Sequence, residues 1–143
     1  MAGKRRRKLK IGDVYAIPLP NGNYAFGKVF KDAGLGIYKH IGDSTEDLPE
    51  TEEFQFNVGV YKDVLTSDKW QIVDNRPFSS EEAAFPPPKY IKDAISGEYS
   101  IYYKGEIKQS NQKECEGLEK ASVWDEHHII DRIIGDDKWQ RDH

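Results

Sequence analysis

At 143 residues the chain fits one domain, large enough to bury a core without disulfide or metal staples. Charged residues make up 32% and hydrophobic residues 37%, yet three tryptophans, eight tyrosines and six phenylalanines exclude wholesale disorder. The single cysteine, Cys115, excludes an intrachain disulfide, and no window nears the roughly 20 apolar residues that span a bilayer, so the expected setting is the cytoplasm.

The formal net charge of −4 hides an asymmetry. Six basic side chains fall within Lys4–Lys10, leaving 15 basic against 25 acidic ones in residues 11–143, a net of −10. Residues 1–10 have Leu9 as their only large apolar side chain after Met1 and are expected to be a disordered basic tail. Residues 11–143 are expected to form one α+β domain. An acidic body repels nucleic acid and draws basic partners toward it.

In chain order, Ile11–Lys31 reads as a β-hairpin. Val14, Tyr15, Ala16, Ile17 and Leu19 make one run and Tyr24, Phe26 and Val29 the other. Asn21-Gly22 between them predicts a type I′ turn. Pro18 argues for an edge position or a bulge, and Gly27 for a bend of the kind found in small barrels. Leu35–Ile41 is a third candidate strand. Asp43, Glu46, Asp47, Glu50, Glu52 and Glu53 then make an acidic loop broken by Pro49. Phe54, Phe56, Val58 and Val60 alternate as in a half-buried strand. A short helical piece up to Asp68 and a strand over 70–73 follow. Pro77 and Pro86-Pro87-Pro88 mark a structured crossover, since such a run cannot enter a central strand. Tyr99–Tyr103 and Glu106–Gln109 form a second hairpin around Lys104-Gly105.

The end of the chain reads as helical. Asn111 and Glu114 resemble a capping box, with Leu118 and Ala121 three apart on the face that follows. Asp125 is placed to cap a second helix, and Trp124 to staple against Ile129. Ile129, Ile130, Ile133 and Ile134 make an apolar stripe that Gly135 ends. The last eight residues are polar apart from Trp139 and are expected to fray. Strands followed by helices predict a β-rich α+β fold. Its architecture would be an antiparallel curved sheet or an SH3-like barrel, with helices from the C-terminal segment.

The chain offers few groups arranged for chemistry. The best metal candidate is Asp125-Glu126-His127-His128 with Asp131 behind it, since His127 and Asp131 are four apart on one helix face and could ligate one ion. A metal site would need a further ligand of the right sort, so the preferred reading of these residues is a solvated face opposite the isoleucines. Cys115 lies between Glu114 and Glu116 in a predicted helix, with no immediate cationic neighbour of the kind a reactive thiol needs, so it reads as a structural residue. Neither a nucleophile elbow nor a phosphate-binding loop is present. The Lys4–Lys10 run could grip phosphates but has no interleaved aromatics, so nucleic acid is not the expected partner. The acidic loop is either a solvated loop or a phosphate-like surface that covers the basic active site of a nuclease.

Lys10-Ile11-Gly12-Asp13-Val14-Tyr15-Ala16-Ile17-Pro18-Leu19-Pro20, with Gly22, Tyr24, Ala25, Phe26, Gly27 and Val29 after it, resembles the opening of immunity protein family 26 of bacterial polymorphic toxin systems. The likeness continues through Val58-Gly59-Val60-Tyr61 and Trp70. It returns at Glu114–Glu119, Val123-Trp124-Asp125, His128 and Asp131-Arg132-Ile133. The resemblance implies a β-rich cytoplasmic protein encoded beside a toxin, which it binds and blocks without catalysis or a cofactor. Gly12, Gly22, Gly27, Trp70 and Trp124 are then structural. Asp43, Glu46, Asp47, Glu50, Glu52 and Glu53 are the expected partner-binding rim, facing a basic cognate toxin. The alternative, a metal-dependent phosphotriester hydrolase, would draw on His127, His128 and Asp131. A two-metal site needs more histidines than the four present supply.

Overall fold

The computed structural model describes residues 9–135. Strand β1 (Asp13–Pro18) pairs antiparallel with β2 (Tyr24–Val29), as the opening pattern predicts. The turn between them is not type I′. The Gly22 N–H donates to Leu19 O, which puts Pro20 at the first central position. A proline ring holds φ near −65°, so the two positive φ values of type I′ cannot arise; only Gly22, at φ +87°, is left-handed. The type I′ geometry occurs instead in the second hairpin, where Lys104 (φ +52°) and Gly105 (φ +79°) join β7 (Tyr99–Tyr103) to β8 (Glu106–Ser110).

Strands β3 (Gly34–Tyr38), β4 (Phe54–Val60) and β5 (Gln71–Asn75) complete the first sheet with a two-residue strand, β10 (Val123–Trp124). The order is β10-β4-β3-β2-β1-β5, antiparallel except for the β10–β4 pair. Pro18 ends β1 beyond the reach of β5, whose pairing stops at Ala16 after a bulge at Val14/Tyr15. The second sheet has the order β8-β7-β6-β9, with β6 (Lys89–Lys92) and β9 (Glu119–Lys120) running parallel. Both sheets are open, so the barrel alternative is not the fold.

The first sheet is buried on both faces. Side chains alternate across β1: Tyr15 and Ile17 enter one apolar cluster with Leu35, Ile37, Val58, Trp70, Trp124 and Ile129, while Val14 and Ala16 enter another with Phe26 and Tyr38. The first cluster is covered by helix α1 (Lys62–Thr66) and helix α3 (Glu126–Ile133), with Leu9, Ile130 and Ile133 packed around it. Trp124 and Ile129 share this cluster, as the staple requires. Asp125 holds the N-cap position of α3 but makes no capping side-chain bond. Ile134, the expected end of the stripe, is exposed at the helix end, and Gly135 (φ +85°) follows it. No helix among the described residues is long and apolar enough to cross a membrane.

Two expectations on the C-terminal side are corrected. Asn111 does cap a helix, its Oδ1 accepting the Glu114 N–H at 2.9 Å, but α2 (Gln112–Cys115) ends after four residues. Gly117 (φ +80°) turns the chain, and Leu118 and Ala121 do not share a helix face. Instead the run from Glu119 to Trp124 supplies β9 to one sheet and β10 to the other, with the Ala121 N–H donating to Tyr90 O between them. Further ties join the sheets: Tyr102 donates to Asp32 at 2.5 Å, and Lys104 pairs with Glu82. Most of the expected basic tail (residues 1–8) and the expected frayed end (136–143, including Trp139) lie outside the described residues.

Candidate protein-binding site

The acidic segment is the loop from β3 to β4, and it lies against the second apolar cluster. Leu48 packs on that cluster and Pro49 is buried, so the loop is anchored at its middle. At its start Tyr24 and Gly42 form an isolated bridge with two 2.8 Å backbone bonds. Asp47 then organises the first half: its carboxylate accepts the Asp43 N–H at 3.1 Å, and His40 Nε2 lies 2.8 Å from its carbonyl.

The second half is held by charge. Lys28 follows Phe26 by two residues in β2 and therefore lies on the same face of the sheet. Its ammonium donates to Glu52 Oε1 at 2.7 Å and sits 3.9 Å from the Phe78 ring centre. Tyr38 donates to Glu52 Oε2 at 2.8 Å. Arg76, just past β5, donates to Glu52 Oε2 at 2.9 Å, to Asp74 at 2.9 Å and to Pro49 O at 2.7 Å. Burial alone would push the Glu52 carboxyl up; the bonds from Lys28, Tyr38 and Arg76 outweigh it and hold the group below its ordinary value. The same burial and the Glu52 charge push the Tyr38 phenol up.

The six acids thus divide. Asp47 and Glu52 hold the loop in shape. Asp43, Glu46 and Glu50 are exposed and make no side-chain hydrogen bond or ion pair with another described residue. Glu53 makes only loose contacts, 3.9 Å from Lys39 and 3.4 Å from Thr51. The result is an ordered, negatively charged edge on a buttressed loop. The buttress, Lys28, Tyr38 and Arg76, has no counterpart among the residues the sequence pattern singles out. A lysine inside the otherwise apolar Tyr24–Val29 run was the available signal, because a buried cation needs a partner.

The candidate metal segment comes together in part. Asp125, His127 and His128 offer donor atoms within 4.8 Å of one another, whereas Asp131 is not among them. The two imidazole centres are 4.4 Å apart. Asp125 is the N-cap of α3 and the two histidines lie in its first turn, so one short segment supplies every donor. Cys115 is buried, with Sγ 3.9 Å from Ser100 O, in keeping with a structural residue.

The family model described as Immunity protein 26 matches residues 10–101, more than half of the chain. The match covers β1 to β5, the acidic loop and β6, and ends inside β7. The similar-looking pieces at 114–133 fall beyond it. No curated protein and no solved structure matches the chain.

Proposed function

The chain belongs to the immunity protein 26 family, and from that premise we propose that it binds one cognate toxin protein in the cytoplasm and neutralises it stoichiometrically, without catalysis. The family match is the observation that carries this reading. The charge of the chain gives it a direction. A body with 25 acidic residues, and Asp43, Glu46 and Glu50 exposed on a held loop, favours a basic partner such as a nuclease. Rigid presentation matters, because a loop already ordered loses little conformational entropy on binding. An interface of ordinary size would take roughly 800 Å² from this protein's surface.

The test is co-expression with the product of the adjacent gene. Rescue of growth, together with a one-to-one complex on size-exclusion chromatography with light scattering, is the expected result. Continued toxicity with both proteins present and no co-elution overturns the proposal. Equal rescue at a large molar excess of the partner would point to turnover instead, and would also overturn it.

A further inference from the structure

Where the two sheets meet, the Asp32–Ala33 turn, the proline run and the stretch 121–123 line a cavity of about 310 Å³ that opens to solvent. Its walls are mostly apolar, drawn from Ala33, Pro86, Pro87, Tyr103 and Val123. Lys89, the first residue of β6, also lines it and is only 7% exposed. Its ammonium makes no hydrogen bond or ion pair with another described residue. The two nearby carboxylates are committed elsewhere. Asp32 accepts the Tyr102 hydroxyl at 2.5 Å, and Glu119 is gripped by both ends of the Arg132 guanidinium at 2.7 and 3.0 Å. Lys104, the other cation at the cavity, is paired with Glu82.

Burying a charge without a counterion is costly, and a buried titratable group lining a cleft marks a candidate ligand site. Burial pushes the Lys89 amine down, with the Glu119 and Asp32 charges only partly opposing it. One cation without an ion-pair partner among the described residues, with carboxylates close by, suits a single negative charge and disfavours a dianion such as phosphate. The volume lies at the lower end for small-molecule sites, and the walls demand carbon. We propose that this cavity binds a free small monocarboxylate with a short apolar or aromatic body, its carboxylate on Lys89 and its body against Pro86, Pro87, Tyr103 and Val123. The proposal is independent of toxin binding, so its failure leaves that reading intact.

The test uses the full chain and 3-phenylpropionate, with 3-phenylpropanamide as the uncharged control, titrated by calorimetry and by NMR. The acid should bind at least tenfold more tightly than the amide. Lys89→Met should lose at least tenfold in affinity for the acid, and Lys104→Met less than threefold. A second readout needs no variant: the rate of Lys89 modification by trinitrobenzenesulfonate, followed by mass spectrometry, should fall at least fivefold with the acid and stay unchanged with the amide. Equal binding of acid and amide, absence of binding by the acid, or an unprotected Lys89 would each overturn the proposal. Tighter binding of a peptide ending in a free phenylalanine carboxylate than of 3-phenylpropionate would overturn its assignment to a free small molecule.

Discussion

Glu52 shows how one side chain can look like surface and act as structure. Its side chain is 46% exposed, yet it is the common acceptor for Lys28, Tyr38 and Arg76. Its folded-state pKa lies below the ordinary 4.5, so its ionised form stabilises the fold above that value. That contribution is lost as pH falls through the lower folded pKa. Glu52→Gln should therefore cost about 1–2 kcal/mol at pH 7, a figure discounted for the half-exposed carboxylate but kept above zero by the buried Lys28 left without a counterion. Urea denaturation should show the gap to the unchanged protein closing below pH 4. A gap that persists unchanged at pH 3 would mean that charge is not what Glu52 contributes. The acidity of the 43–53 segment was legible in the sequence, but its division of labour was not. Which carboxylate is clamped depends on cations 24 residues away on either side, and a one-dimensional pattern carries no sign of that pairing.

At the scale of elements, periodicity marked β1, β2, β4 and the second hairpin well, because alternation and turn residues agree there. It failed where a short tertiary pairing overrides local preference. The run after Asn111 has a helix start and helical spacing, yet Gly117 ends the helix and β6 captures Glu119-Lys120 as a parallel strand. Strand β6 itself follows three prolines and carries two lysines, so nothing in its composition advertised it. The turn from β2 to β3 offers a direct check of backbone strain. Asp32 (φ +58°) and Ala33 (φ +59°) are both left-handed, and Ala33 is exposed. A left-handed Cβ costs about 1–2 kcal/mol, partly offset by the greater freedom of glycine when unfolded. Ala33→Gly should raise stability by about 0.5–1 kcal/mol, seen as a higher urea midpoint at constant slope. A lower midpoint would show that the turn is not strained as described. The loop from β3 to β4 gives a second check. Replacing Asp43, Glu46 and Glu50 by their amides, with Asp47 and Glu52 left in place, should preserve the fold. It should also slow association with the cognate toxin several-fold at low salt and flatten the salt dependence. Stopped-flow association rates at two ionic strengths decide it; unchanged rates would place the interface elsewhere.

Across the whole molecule, the two sheets are joined by one short run that serves as an edge of each. Glu119-Lys120 closes the smaller sheet and Val123-Trp124 the larger, and Trp124 brings the largest fully buried side chain of the core with it. Arg132 fastens this join from α3, forked onto Glu119 and stacked 4.1 Å from the Phe56 ring centre. The β-rich class and the acidic body were legible from composition and alternation, whereas the join was not, since two-residue strands have no period to read. This arrangement sets the order in which a nascent chain can complete itself. By the time residue 118 has left the ribosome, the residues of eight of the ten described strands are out, but β4 has no partner for its outer edge and Trp124 is still missing from the core. The last described stretch, 119–135, supplies both at once. Until it emerges, the β4 edge is of the kind that pairs with other chains, so a chain cut before Glu119 should aggregate where the full chain does not, as light scattering would show.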